Sequence, residues 1–398
     1  MRIGYILETW FTDRDRRRCG IEFFEAQGDD THILQLGALF HPQLRDRYIS
    51  RFGRHSSKSE PDSFGKLKRA LFGLAEFDVI FCLVGLTGSI ETVRLSRMLS
   101  QLGRPYIVFS TNAHPGLTRY EERSVSVVKL LGYHFDRLVG GHIRPLQSLL
   151  FRLPRSMLGI SAPAAIVYGG QMSQGGASMY PVDKKTKIIW AHAFDYDDFI
   201  EGLVSERGTE NIAIYIDEHM GFQQDLIALG AKMPTTPDRF YPKLRKLFDR
   251  IETELGLRIV IAANPRSDLN TARELFGSRE AVKGDTARLI GKCKLVIGHC
   301  STAIGMAVMV QKPVILIATR ETYEYWAHKP NMDSFSQKLR EPIRFFDDVS
   351  NCSLDKALRF DCAAYDKYMI DYVKMPGSPM EPYWEIVGAA ARKISNAL

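Results

Sequence analysis

The chain has 398 residues, 45% of them hydrophobic and 25% charged, which is a globular composition with enough length for two domains. The formal net charge is +7, and all of it lies in the first half: residues 1–182 hold 23 Lys+Arg against 16 Asp+Glu, and the remainder holds 30 of each. No uninterrupted apolar run reaches about 18 residues, which argues against a transmembrane helix, and no nucleic-acid-binding module signature accompanies the basic clusters.

In chain order, residues 2–7 predict a first strand rather than a signal peptide, because Glu8 interrupts the short apolar run. Residues 32–36 predict a second strand. The stretch 41–63 is polar and basic and reads as a loop or mobile helix. An amphipathic helix follows at 64–74, then a fully apolar strand at 78–84, a helix at 89–102 and another apolar strand at 105–110. Helical patterns occupy 124–131 and 145–153, with Gly132 as a stop for the first. A short strand is expected at 165–167. Residues 169–187, rich in Gly, Ser and Lys, are the linker candidate. Strands resume at 188–191, 213–216, 259–262, 295–297 and 314–317, with a helix at 242–255. A Pro/Gly break at 375–382 precedes a last helix from 383 to about 397.

Alternating strands and helices in both halves predict an α/β fold of two Rossmann-like domains facing across a cleft, an arrangement that matches GT-B glycosyltransferases. The expected boundaries are 1–175 for an N-terminal acceptor domain and 186–375 for a C-terminal nucleotide-sugar domain. Residues 376–398 form a closing helix that packs back toward the first domain. Six cysteines without a CxxC pair (Cys19, Cys82, Cys293, Cys300, Cys352 and Cys362) suit a reducing cytoplasm and neither a disulfide framework nor a zinc site. Cys300 reads as a small filler, since no dedicated base accompanies it. The clusters Arg14–Arg18, Arg45–Lys58 and Lys66–Arg69 suit an anionic glycolipid or membrane surface, or an ordinary solvated face.

The richest segment is 283–319. It reads as a short helix, a buried strand (295–298), a tight turn at His299 and Cys300, a small-residue helix opening at Ser301-Thr302, and a second buried strand. Hydroxyls and unpaired N–H groups at such a helix start suit a phosphate. Three further groups sit at strand ends. Asn264-Pro265-Arg266 follows the strand near 261, and the Arg fork suits a phosphate. Asp217-Glu218 can supply a base or nucleophile; alternation points them to opposite sides, so one faces substrate, with Asp217 preferred. His192 and Asp195 follow the strand near 190. Asp195 and Asp197 can meet an acceptor or metal, or cap a helix, and their spacing is not that of an EF-hand. Lys283 reaches toward a base or phosphate. Thr87, in the turn Gly85–Ser89, is a cleft candidate, and His114-Pro115-Gly116 is a turn.

At these residues the chain resembles GT-B enzymes that use CMP-activated ulosonic acids, namely bacterial sialyltransferase-like proteins and the retaining β-Kdo transferases of surface-polysaccharide assembly. Their acidic motif is matched by Asp217-Glu218, their His-Pro motif is replaced by Asn264-Pro265, and their Ser-Ser/Thr motif is matched by Ser301-Thr302. His219 stands where the sialyltransferase motif has Gly. Asn264 removes the imidazole but keeps an amide donor. The resemblance implies transfer of Kdo or a related acidic sugar from its CMP donor to a saccharide or glycolipid acceptor. Asp217 would be the nucleophile of a retaining enzyme or the base of an inverting one. Ser301, Thr302, Arg266, Lys283 and His299 would surround the departing CMP. It implies no cofactor beyond the sugar donor and no metal, and a place in the cytoplasm, at the inner membrane face if the basic half binds lipid. The alternatives are a UDP-sugar 2-epimerase and a non-catalytic nucleotide-sugar-binding protein.

Overall fold

The computed structural model describes residues 1–11, 13–42, 59–85, 90–111, 115–116, 155–175, 182–202, 210–223, 226–227 and 231–397. The cluster Arg45–Lys58, Thr87, His114 and the helices expected at 124–131 and 145–153 lie outside them. The chain divides into two compact units. The first comprises residues 1–111, 118–192 and 377–398, and the second 112–117 and 193–376.

The first unit is built on a six-stranded parallel sheet. Its strands are β1 (Arg2–Leu7), β2 (Asp30–Gln35), β3 (Val79–Leu83), β4 (Tyr106–Ser110), β5 (Ala165–Tyr168) and β6 (Lys187–Trp190), in the order β2-β1-β3-β4-β5-β6. The apolar runs become strands covered on both faces, as Val79, Ile80, Phe81 and Cys82 show at 0% exposure. One face is covered by α2 (Phe64–Gly73) and α3 (Ile90–Gln101), through Leu67, Leu71, Leu95 and Leu99. The other carries an aromatic cluster. Phe24 of α1 (Ile21–Ala26) meets Phe81, and Trp384 of the last helix packs on Phe24, Phe81 and Phe109. Gly20 lets that indole approach: its φ is +70°, and a Cβ there would stand 2.2 Å from the ring. A one-turn helix, α4 (Arg155–Leu158), precedes β5.

One boundary differs from the sequence reading. The strand expected to open the second domain at 188–191 is β6, which pairs in parallel with β5 and closes the first sheet. Its apolar run fits either sheet. Only long-range pairing decides, and as an edge strand it leaves Ile188 48% exposed.

The second unit's sheet comprises β7 (Ile212–Ile216), β8 (Arg258–Ala263), β9 (Glu280–Lys283), β10 (Leu295–Gly298), β11 (Val314–Ala318) and β12 (Ile343–Phe345). The order β12-β11-β10-β7-β8-β9 runs from β7 to one side for three strands, then crosses to the other side at β10. That is the Rossmann order, and its reversal lies between β7 and β10. Between the strands run α5 (Tyr196–Ile200), α6 (Pro237–Leu255), α7 (Leu269–Phe276), α8 (Thr286–Lys292), α9 (Ile304–Met309) and α10 (Lys329–Leu339); α11 (Tyr383–Ser395) is the closing helix of the first unit. Helix α6 starts five residues earlier than its pattern predicts. Pro237 occupies the first turn, where no N–H is needed, and the helix continues through Pro242 because Phe240, Tyr241, Leu244, Leu247, Phe248 and Ile251 bury a continuous face.

Candidate functional site

The site is assembled where β7, β8 and β10 end. Beyond Ile216 the backbone still bonds to its neighbour, since Asp217 N–H donates to the Ala262 carbonyl at 3.0 Å. The next two side chains then part. Asp217 turns toward β8: Oδ1 accepts from His219 N–H at 2.7 Å and Oδ2 from Asn264 N–H at 3.2 Å. Glu218 turns toward β10: Oε1 accepts from His299 N–H at 3.3 Å and Cys300 N–H at 2.8 Å, and the Cys300 thiol lies 3.7 Å from Oε2. The two carboxylates therefore straddle β7 and staple the exit loop of the strand on either side.

Burial sets their chemistry. Desolvation raises Asp217 to about 6, against the N–H groups of His219 and Asn264, which favour the anion. It raises Glu218 to about 7, opposed by the Cys300 and His299 N–H groups and helped by the nearby Asp217 charge. A pair of carboxyls is thus held close to neutral pH, the range in which a carboxyl both gives and takes a proton.

The β10 exit differs in detail from the expected phosphate turn. Helix α9 starts at Ile304, so Ser301 and Thr302 lie in the turn before it. The helix is six residues long, and its dipole contributes correspondingly little. What the turn offers is backbone. Ser301 Oγ accepts from Ala303 N–H at 3.2 Å, whereas the N–H groups of Ser301 and Thr302 have no partner among the described residues. They follow directly on the two N–H groups that Glu218 occupies.

His299 is not a ligand of this turn. Its ring is 1% exposed, its Nε2 lies 3.0 Å from the Tyr215 hydroxyl, and it packs against Tyr215 and Phe240. Desolvation, with a contribution from His328, lowers its pKa to about 3, so the imidazole is neutral and belongs to the core. The assignment of His299 to nucleotide binding is corrected accordingly, and only its N–H takes part.

The β8 exit is a side-chain-tied loop. Asn264 Oδ1 accepts from Arg266 N–H at 2.9 Å, and Ser267 Oγ donates to the Asn264 carbonyl at 2.7 Å. Lys283, at the end of β9, donates from Nζ to the Ser267 carbonyl at 3.1 Å. Pro265 is exposed and Arg266 half-buried. Asn264 thus shapes the loop that carries Arg266, and Lys283 braces it.

Two candidates fall elsewhere. His192 is fully buried in the first unit, its Nε2 3.1 Å from the Glu381 carbonyl and its ring edge-on to Tyr383. It packs against the segment that leads into α11 and is corrected to a core residue. Asp195 stands at the N-cap position of α5, outside the three strand-end loops.

Sequence reading missed Glu8. It follows β1 as Glu218 follows β7, and its Oε2 accepts from Gly85 N–H, beyond β3, at 2.8 Å; Oε1 is 3.6 Å from His41 Nε2. The signal was a charged residue immediately after the first strand of a doubly wound sheet. Among the described residues no group of three or more His, Cys, Asp or Glu is placed to hold a metal, and no helix is long and apolar enough to cross a membrane.

No protein-family model and no curated protein matches the chain. Solved structures do. The wall teichoic acid polymerase TagF, as its H444N variant soaked with CDPG, aligns over all of this chain and 89% of its own, with TM-score 0.55 and 10% identity. Phytolacca americana UGT2, complexed with UDP-2fluoro-glucose and pterostilbene, aligns over 99% of both chains with TM-score 0.52 and 12% identity. The UDP-GlcNAc 2-epimerase from Methanocaldococcus jannaschii aligns at TM-score 0.46 and 8% identity. With its two parallel six-stranded sheets, the chain has the GT-B fold.

Proposed function

We propose that this chain is a glycosyltransferase that transfers Kdo, or a related ulosonic acid, from a CMP donor to a saccharide or glycolipid acceptor of a bacterial surface polysaccharide. The observation that carries the reading is the pair of N–H groups at Ser301 and Thr302 that have no partner among the described residues, next to two carboxyls held close to neutral pH at the strand-order reversal. Nucleotides bind at such a reversal in Rossmann-type sheets. In this reading the donor phosphate accepts from the Ser301 and Thr302 N–H groups, and Arg266 and Lys283 offset the charge of the departing CMP.

The acid–base role falls to Glu218. Asp217 is 5% exposed and each of its oxygens accepts a backbone N–H, so it positions the Asn264 loop; Glu218 takes both of its N–H groups on Oε1 and leaves Oε2 with only the Cys300 thiol, at 3.7 Å. As CMP leaves with the bonding electrons, the acceptor oxygen bonds the anomeric carbon and Glu218 takes the acceptor's proton.

Melting the protein with CMP, UMP, GDP and ADP tests the donor class. A ligand at about a hundred times its dissociation constant stabilises by roughly 2.7 kcal/mol, which is a readable rise in Tm. CMP alone is expected to give it, and CMP-Kdo with an acceptor is expected to release CMP. A shift with UMP and none with CMP would replace this donor by a UDP-sugar and bring forward the epimerase reading.

A further inference from the structure

The outer face of the α2/α3 layer in the first unit has its own chemistry. Helix α2 turns Leu67 and Leu71 into the core and leaves Lys66, Lys68, Arg69 and Phe72 outside. Helix α3 leaves Arg94 and Arg97 exposed beside them. Between the helices runs a shallow groove lined by Lys68, Leu71, Phe72, Met98, Gln101 and Leu102. Phe72 is 57% exposed, with the Lys68 ammonium 5.9 Å from its ring centre. Helix α4 adds Met157 at 74% exposure; Gly159, just beyond it, sits against Arg97.

The charges on this face are nearly all of one sign. Helices α2 and α3 hold five Lys and Arg and one acidic residue, Glu91. Lys66 is paired with Asp62 at 2.7 Å, whereas Lys68, Arg69, Arg94 and Arg97 make no ion pair among the described residues. An exposed Phe or Met alone means little. Here Phe72 lies beside Lys68 and Arg69, and Met157 stands two residues before Gly159, which adjoins Arg97; the aliphatic stems of these cations extend the apolar surface.

We propose that this face docks the protein on an anionic lipid bilayer. Phe72 and Met157 would enter the headgroup layer, and Lys68, Arg69, Arg94 and Arg97 would meet lipid phosphates. A soluble acidic polymer satisfies the cations but leaves the apolar side chains without a partner, so the bilayer is the better fit. The inference uses no residue of the sugar-nucleotide site and stands independently of the proposed reaction.

The test is co-sedimentation of the whole protein with phosphatidylcholine vesicles, with and without phosphatidylglycerol. Binding is expected only with the anionic lipid, and added salt should weaken it. The double variant Lys68→Glu, Arg69→Glu should reduce affinity by about tenfold or more, and Phe72→Ser should reduce it several-fold. Lys184→Glu, Lys185→Glu, on the exposed loop entering β6, changes net charge equally and should bind far better than the α2 double variant. Circular-dichroism melting checks that each variant folds; if the double variant does not, Lys68→Gln and Phe72→Ser carry the test. The proposal fails if the protein does not sediment, if neutral vesicles bind as well, or if the control reversal costs as much. It also fails if Phe72→Ser changes nothing while soluble polyglutamate competes fully, because the occupant is then an acidic polymer.

Discussion

The two units solve one local problem twice. In each, a glutamate just past the first strand reaches across the strand-order reversal and accepts a backbone N–H from the neighbouring exit loop. In the first unit Glu8 takes one such bond, from Gly85, and its side chain is 31% exposed. In the second unit Glu218 takes two, from His299 and Cys300, and burial lifts its pKa to about 7. The bonding device is shared, and the number of N–H groups it ties is not. The comparison teaches that the staple is a property of the fold, and that at Glu218 burial adds to it a carboxyl raised toward neutral pH.

The contrast is easiest to break by activity. If the proposed transfer is the reaction, Glu218→Ala is expected to lower its rate by about a hundredfold or more, the range of a lost general acid–base group. Glu8→Ala should stay within about tenfold of the parent protein. Equal losses would end the functional distinction between the two glutamates. Thr302→Pro removes one of the two open N–H groups. If the phosphate sits there, CMP affinity measured by calorimetry should fall by about tenfold or more, the scale of one hydrogen bond to a charged group.

Stability against pH sharpens the comparison further. A carboxyl whose folded-state pKa lies above its unfolded value contributes fully below the unfolded value, here about 4.5 for Glu218, and that contribution fades as pH rises through about 7. Urea melts between pH 5 and pH 8 should therefore show the parent protein losing roughly 1–3 kcal/mol that Glu218→Gln keeps. An identical slope in the variant would show that Glu218 carries no such linkage. The smallest effect is expected of Glu8→Gln. An amide oxygen can still accept from Gly85, so its urea melt at pH 7 should lie within about 1 kcal/mol of the parent.

The sequence made some of this legible and hid the rest for definable reasons. Fully apolar runs announced β3, β4, β7, β8, β10 and β11, because a strand covered on both faces needs no polar alternation. The pair Asp217-Glu218 was visible at the end of such a run, as were Asn264-Pro265-Arg266 and Ser301-Thr302. The sheet that owns β6 was not, since pairing partners leave no trace in a four-residue run. Pro242 hid the first turns of α6, although Pro237 marks where they begin. Hydroxyls at 301 and 302 looked like a helix start, but they lie in the turn and the helix begins at Ile304. His299 and His192 drew attention as rare, reactive side chains at strand ends. Nothing in their neighbours' letters reveals that each ring is turned inward among aromatics. Glu8 was passed over because it was weighed only as an interruption of an apolar run.

The aromatic cluster built around Trp384 bears on the order of synthesis. A ribosome that has delivered residues through 376 has released every strand of both sheets, yet the first one still lacks the indole that seats on Phe24, Phe81 and Phe109. It also lacks Arg392, whose guanidinium bonds Asp29 at 2.6 Å. Translation therefore finishes the second half of this protein before the first, and a stop codon just after 376 would injure the part of the chain that was made earliest.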